Sequence, residues 1–257
     1  MKNCMRLIVC CLSTLIFVSC GKKKTSTVTK SNENAISKPS LELLWQTDSL
    51  LTTSESVLYD DLSGVIYVAN VNNLPWEKDN NGFISTINSE GEIIDLKWME
   101  GFSAPKGMGG YNGKLYVNDI DKLVEIDITL KKIVNEYHVE GAPNLNDVTV
   151  SNLGIVYSSG SKVNTIYKLE DNAFEAYASD QSGRVNGLLS SGDLLYYLDA
   201  QRGELGVYSH IDKTFKVLTS ELGAADGLIQ VENGDFISSS WKGEIFYIHS
   251  KDWSKTK

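Results

Sequence analysis

Five polar residues stand at regular intervals, each directly before a short apolar run. They are separated by 51, 40, 40 and 40 positions: Glu55, Lys106, Asn146, Asn186 and Asp226. Two carry carboxylates and two carry carboxamides, and proteins use such oxygen donors to bind Ca²⁺ and other hard divalent cations. Turn chemistry is the alternative, since Asn-Gly and Asp-Gly pairs are common in turns, but it accounts for neither Glu55 nor the recurrence. The spacing therefore predicts a hard-cation site wherever the fold brings these residues together.

The segments around these residues predict an all-β fold. Short β-branched and aromatic runs such as Val65–Val68 and Leu194–Leu198 are separated by Gly, Asn and Asp at intervals of roughly 8–12 residues, and no helical period extends beyond a turn or two. Four such runs fit each unit of ~40 residues, except that the unit of Asp226 lacks a clear fourth. Four antiparallel strands repeated at this period are the unit of a β-propeller blade.

A propeller would bring the five polar residues together. The first strand of each blade is innermost, so the residues at its start converge on the mouth of the central channel. Lys106 would add a positive charge there, and a solvated loop lysine after Pro105 is the alternative. The first unit contains a polar insertion, residues 72–82, that carries Trp76. We expect Trp76 either to stack on a ligand at the mouth or to pack between blades.

Composition excludes several other functions. The chain has a net charge of −9, and residues 41–257 contain 17 Lys+Arg against 32 Asp+Glu, which excludes a basic nucleic-acid binder. All four cysteines lie in the first twenty residues, so the folded body has no thiol for a disulfide, a zinc site or a nucleophile. The histidines fall on predicted outer strands, without Cys or carboxylate neighbours at ligand spacing: His138, His210 and His249.

The first forty residues predict a targeting segment followed by a linker. The apolar run Leu7–Val18 is too short for a membrane span and typical of a signal peptide. Cys20 follows an apolar and a small residue, as in the bacterial lipobox, whereas a plain signal peptide ending near Ser19 is the alternative. We expect a lipoprotein of the bacterial cell envelope, periplasmic or at the outer membrane. Its predicted parts are a signal peptide (1–19), a lipid anchor at Cys20, a flexible tether (20–40) and a propeller (41–257).

The motifs at the inner strands resemble those of the senescence marker protein/gluconolactonase/regucalcin-like propellers over most of residues 41–250. The resemblance rests on Glu55 followed by Ser-Val, and on the pairs Asn146-Asp147, Asn186-Gly187 and Asp226-Gly227. It implies that Glu55, Asn186 and Asp226 bind a divalent cation. The oxygen donors favour Ca²⁺, and Zn²⁺, Mn²⁺ or Mg²⁺ are the alternatives. The resemblance further implies that Asn146 contacts substrate or a bound water, and that Asp226 is the general base in lactone hydrolysis.

One position departs from that family. Its lactonases carry an arginine that grips the sugar two residues before the first asparagine, and here that position is Asn144. The candidate substrate contacts are therefore Asn144, Asn146, Lys106 and Trp76. The complete ligand set favours a metal-dependent hydrolase of a lactone or similar small ester. Asn144 favours a non-catalytic propeller that binds a ligand or a partner protein. We expect a monomer that binds a small molecule such as a sugar lactone.

The repeat also bears on the number of blades. Five units are recognisable, whereas the family has six blades. We therefore expect a six-bladed arrangement that lacks its final blade, with a gap between the blades of Glu55 and Asp226 and with exposed apolar edge strands. The alternative is a five-bladed ring in which Leu41–Gln46 pairs with the third strand of the last unit and so removes an exposed edge.

Overall fold

The computed structural model describes residues 39–141, 143–180 and 183–257. These residues form five four-stranded antiparallel sheets, so the protein is a five-bladed β-propeller and the five-bladed alternative has the correct number of blades. The predicted signal peptide, the lipid anchor at Cys20 and residues 20–38 of the tether lie outside the described residues. Within the described ranges, no helix is long and apolar enough to span a membrane.

The blades follow one another along the chain, and hydrogen bonds join the strands of each blade in sequence order. Blade 1 contains β1 (Ser54–Asp60), β2 (Val65–Asn70), β3 (Gly82–Ile87) and β4 (Ile93–Phe102). Blade 2 contains β5 (Pro105–Tyr111), β6 (Lys114–Asp119), β7 (Lys122–Asp127) and β8 (Lys132–His138). Blade 3 contains β9 (Leu145–Val150), β10 (Val156–Gly160), β11 (Thr165–Glu170) and β12 (Ala173–Ser179). Blade 4 contains β13 (Val185–Ser191), β14 (Leu194–Asp199), β15 (Glu204–Ser209) and β16 (Thr214–Thr219). Blade 5 contains β17 (Ala225–Gln230), β18 (Phe236–Ser240), β19 (Ile245–Ile248) and β20 (Lys255–Thr256).

Apolar side chains between neighbouring blades form the core. Ile84 and Leu115 belong to the cluster that joins blades 1 and 2, and further clusters join blades 2 and 3, 3 and 4, and 4 and 5. Each large side chain buried in these clusters stabilises the fold by about 1.5–3 kcal/mol. Within the described residues, no such cluster joins blade 5 to blade 1.

The C-terminal tail completes the last blade. β20 pairs with β19 through Tyr247 opposite Thr256 and Ile248 opposite Lys255. Leu41–Gln46 is not a strand, so the alternative in which this segment completes blade 5 is wrong in this respect. The turn between β19 and β20 is held by the Trp253 backbone N–H, which donates to the His249 carbonyl at 2.8 Å. Closing a short local turn costs less chain entropy than bringing residue 41 around the ring.

The innermost strands pack against one another around the channel, with one exception. β1 packs on β5, β5 on β9, β9 on β13 and β13 on β17. No comparable packing joins β17 to β1 in the described part of the chain. The ring is therefore continuous over four junctions and open between blades 5 and 1.

Candidate functional site at the channel mouth

The register of the first two strands breaks at the site residue in every blade. In blades 2 to 5 two residues of the innermost strand stand opposite one residue of the second strand: Lys106-Gly107, Asn146-Asp147, Asn186-Gly187 and Asp226-Gly227. In blade 1 the register shifts at Glu55. A β-bulge re-aims the side chains of the extra residue, and bulges are common beside functional sites. The repeated polar residues are therefore bulge residues at the starts of the inner strands.

The bulge residues meet at the mouth of the channel. They line a cavity of about 50 Å³: Glu55, Ser56, Gly107, Asn146, Asp147, Asn186, Asp226 and Gly227. Since a water molecule takes up about 30 Å³ of liquid, the cavity has room for an ion or a water. Four of the five residues predicted from the spacing are thus brought together, and the fifth, Lys106, lies beside them.

Two bulge glycines allow neighbouring inner strands to approach closely at this point. A Cβ atom on Gly107 would lie 2.4 Å from Asp147 Oδ1, and one on Gly187 would lie 2.4 Å from the Asp226 carbonyl oxygen. Neither glycine has a positive φ. The glycines therefore serve close approach of the backbone, and the alternative that these pairs are turn residues is wrong.

Lys106 is buried at the mouth and is not a solvated loop residue, with 2% of its surface exposed. Its Nζ lies 3.7 Å from Glu55 Oε1 and 4.6 Å from the centre of the Trp76 ring. Burial lowers the pKa of Lys106, and the Glu55 carboxylate opposes this shift. Trp76, from the long loop between β2 and β3, thus covers the lysine by a cation–π contact.

Asp226 accepts two hydrogen bonds on the same oxygen. Asn186 Nδ2 donates to Oδ1 at 2.6 Å, and Trp241 Nε1 donates to Oδ1 at 3.0 Å. Burial raises the pKa of Asp226, and the donors Trp241 and Asn186 oppose the rise. Trp241 keeps 64% of its surface exposed. It was missed by sequence reasoning because its place after β18 has no periodic signal.

Asp147 is a third carboxylate of the site that sequence reasoning left unassigned. Its Oδ2 accepts the Leu188 N–H of blade 4 at 2.7 Å, and its Oδ1 accepts the Val148 N–H at 2.9 Å. Burial raises the pKa of Asp147 to about 7 against these two hydrogen bonds. The signal for it was its place beside Asn146, where the bulges of blades 2, 4 and 5 carry glycine.

Negative charge at the mouth exceeds positive charge. Burial raises the pKa of Glu55 to about 7, and Lys106 opposes the rise while Asp226 and Asp147 add to it. Three carboxylates thus share one ammonium group in a poorly solvated site. Within the described residues, no group of three or more His, Cys, Asp or Glu side chains has metal-binding geometry, so any cation here needs the carboxamide oxygens as well.

Asn144 lies apart from this cavity. It has a left-handed backbone with φ 53° and lines a separate cavity of about 340 Å³ between blades 3 and 4, together with Arg184, Lys162 and Gln201. The mouth therefore brings together Glu55, Lys106, Asn146, Asn186, Asp226 and Trp76, but not Asn144.

The histidines also lie away from the mouth. His210 Nδ1 is 2.8 Å from the Tyr177 hydroxyl, His249 Nδ1 is 3.3 Å from Asp235 Oδ2, and His138 Nε2 is 3.7 Å from Glu136 Oε2. None of them lines the mouth cavity or the channel in the described structure. These are the three histidines of the chain, so none of its imidazole groups lies at the mouth.

Solved structures share the fold at low sequence identity. A nidogen–laminin complex matches with a TM-score of 0.67 and 14% identity over 80% of this chain and 80% of that one. Virginiamycin B lyase from Staphylococcus aureus matches with a TM-score of 0.60 and 15% identity over 80% of this chain and 70% of that one. A streptogramin B lyase matches with a TM-score of 0.61 and 14% identity over 79% of this chain and 67% of that one. Sequence comparison matches the chain to no protein family and to no curated protein. These likenesses show the propeller fold, which hosts both enzymes and binding proteins.

Proposed function

We propose that the channel mouth binds a hard divalent cation, Ca²⁺ in the first instance, and hydrolyses a lactone or a similar small ester. The bulges support this proposal, because they bring oxygen donors from separate blades to one cavity of about 50 Å³. Glu55, Asn186 and Asp226 are the proposed ligands. Carboxylate and carboxamide oxygens without His or Cys suit a hard cation. Burial raises the pKa values of Glu55 and Asp147, and a bound cation would favour their ionised forms.

Each residue has a role in the proposed reaction. A bound cation would polarise the ester carbonyl and lower the pKa of a water. Asp226 accepts the proton of the attacking water through Oδ2, because Oδ1 already accepts hydrogen bonds from Asn186 and Trp241. Its raised pKa brings it nearer to neutral pH, where a general base is most effective. Asn146 donates from its amide to the substrate oxygen.

The experiment compares two carboxylate variants. The purified protein is stripped with chelator, supplied with Ca²⁺, Mn²⁺ or Zn²⁺, and assayed on aldonolactones and aliphatic lactones. Asp226→Asn is expected to lose about a hundredfold in rate or more, since general-base catalysis contributes on that order. Asp193→Asn, in an exposed turn of blade 4, is the matched control and keeps full activity. Equal rates in both variants, or no turnover with any lactone and metal, would refute the hydrolase.

A binding protein without catalysis is the second candidate, and the ion pair favours it. Lys106 Nζ lies 3.7 Å from Glu55 Oε1, so an ammonium group already partners a carboxylate that the hydrolase needs as a metal ligand. The two candidates differ in calorimetry: the binding protein takes up a lactone equally well with and without Ca²⁺ and releases it unchanged. Hydrolysis products in the same sample exclude it.

We also propose that Cys20 anchors the propeller to an envelope membrane. Lipidation of Cys20 would keep the protein in the membrane fraction, and Cys20→Ser would release it. A wild-type protein that fractionates with soluble material would contradict the anchor without bearing on the site.

A further inference from the structure

The opening between blades 5 and 1 exposes apolar side chains of two innermost strands. Val57 on β1 is 69% exposed and Ile229 on β17 is 56% exposed. On the other face of the same strands, Leu58 and Leu228 pack in the clusters that join blades 1 to 2 and 4 to 5. The exposed face of each strand is thus the one that a neighbouring blade would cover. Such exposure of aliphatic side chains on two strands that face each other across an opening is uncommon at the centre of a soluble fold, and it marks a binding surface.

The two exposed faces line one cavity that continues from the mouth. Its volume is about 530 Å³, within the range of small-molecule sites. This cavity is the central channel, and its wall is formed by all five innermost strands and β18. Aliphatic side chains such as Val57, Met108, Leu188, Ile229 and Ile237 predominate, and Ser56, Thr149 and Ser239 add hydroxyl groups. Glu55, Asp147 and Asp226 lie at its polar end and also line the mouth cavity. A molecule in this cavity would therefore present one end to the carboxylates and the rest to aliphatic side chains.

The chain's own N-terminal segment covers the outer side of the opening between blades 5 and 1. Its described residues do not line the inner cavity. Pro39, Ser40 and Leu41 line a separate cavity together with Ile245 and Tyr247 of blade 5. A few residues later the Trp45 ring lies over Gly91 of blade 1, within 2.3 Å of where a Cβ would be. The segment thus passes from blade 5 to blade 1 outside the inner strands. An occupant of the inner cavity must come from elsewhere.

We propose that this cavity holds the aliphatic chain of the ligand, so that the ligand is a neutral ester or lactone with an alkyl substituent and not a polyhydroxylated sugar lactone. The proposal rests on the proposed function of the mouth, since it takes the ester group to lie at the carboxylates. No Lys or Arg is among the described residues of the cavity wall, and Lys106 beside Glu55 is the one ammonium group near three carboxyl groups. Without a bound cation, a free carboxylate at this end of the cavity is therefore disfavoured. An alkyl chain in this cavity would remove the exposed aliphatic side chains from water, a gain that a polyol does not make.

The test is a homologous series of γ-lactones with methyl, butyl and octyl side chains, titrated into the full chain by calorimetry in chelator and again with Ca²⁺. Affinity is expected to rise by about fourfold per methylene until the cavity is filled, as for transfer of a methylene from water. In chelator, dodecanoate, with a charged head on a comparable chain, is expected to bind at least tenfold more weakly than the octyl lactone. Affinity that is independent of chain length, or tighter binding of dodecanoate in chelator, would overturn the proposal.

Variants of the cavity wall test whether the alkyl chain of the ligand binds there. Val57→Ser and Ile229→Ser are expected to fold, because both side chains are largely exposed, and to weaken octyl-lactone binding by about tenfold while leaving the methyl lactone unchanged. Ile94→Ser is the matched control: Ile94 is 59% exposed on β4 and lies outside the cavity. An equal effect of all three variants would overturn the proposal. Loss of lactone binding at protein concentrations that produce a dimer would also overturn it, because a second copy of the chain would then occupy the exposed faces. Chain-length-dependent binding without turnover would refute only the hydrolase, and turnover of short lactones without chain-length dependence would refute only this cavity.

Discussion

Raising the pH of the metal-free protein from 5 to 8 is expected to destabilise the fold, because buried carboxyl groups at the mouth must ionise. Burial raises the pKa of Glu55 from 4.5 to about 7 against the charge of Lys106, and burial raises the pKa of Asp147 from 3.8 to about 7. An acid whose pKa is raised by folding contributes stability that is complete below its unfolded pKa and is lost as the pH rises through the folded pKa. For Glu55 the loss runs from pH 4.5 to about 7.

The size of the loss in the free energy of unfolding follows from the two pKa shifts. One pKa unit corresponds to about 1.4 kcal/mol, so the shift of Glu55 corresponds to about 3 kcal/mol and that of Asp147 to about 4 kcal/mol. Burial lowers the pKa of His210, which gives a slope of opposite sign, so the effect of Glu55 is best isolated by a variant. Ca²⁺ favours the ionised carboxylates and should offset part of the loss, with a gain of about 2.7 kcal/mol at a hundredfold excess over its Kd.

The assay is urea unfolding at pH 5, 6, 7 and 8, in chelator and with Ca²⁺. Wild type in chelator should lose stability between pH 5 and 8, and Glu55→Gln should reduce that loss by about 3 kcal/mol. Glu232→Gln, at an exposed turn of blade 5, is the control and should retain the wild-type slope. The reasoning fails if stability in chelator is flat or rises over this range, or if Glu55→Gln has the slope of wild type.

Three further predictions concern the same site. Chelator should lower the Tm of wild type but not of the double variant Glu55→Gln/Asp226→Asn, and an unchanged wild-type Tm in a thermal melt would show that no cation bridges the inner strands. Gly107→Ala should destabilise the fold by about 1–3 kcal/mol, because its Cβ would meet a carboxylate oxygen at 2.4 Å. Gly110→Ala, where the nearest side-chain atom is 3.5 Å away, should be tolerated, and equal denaturation midpoints would contradict the close approach. Trp241→Phe removes a donor that lowers the pKa of Asp226, so the Asp226 carboxyl should titrate at higher pH in ¹³C NMR; a shift to lower pH would contradict the contact.

The repeat of the chain was sufficient to predict the propeller and much of its site. Each unit places a polar residue before an apolar run, and the register breaks at that residue in all five blades. Because the pattern is local and recurs in register, it specifies the inner strand and the mouth residue together. Glu55, Asn146, Asn186 and Asp226 meet as expected for this reason. Asn144 does not join them, because its backbone turns in the left-handed region outside the bulge.

The sequence by itself therefore determined the all-β repeat and the polar residues at the start of the inner strands, since period-2 alternation and recurrence are properties of short segments. Tertiary structure alone decided which distant groups complete the site. Asp147 reaches the backbone of Leu188 forty-one positions away, Trp241 reaches Asp226, and Lys106 is buried against Glu55. It also decided that a two-residue polar strand, and not Leu41–Gln46, completes blade 5. Such pairings depend on packing and chain closure between residues far apart, and these energies are not encoded in any local pattern.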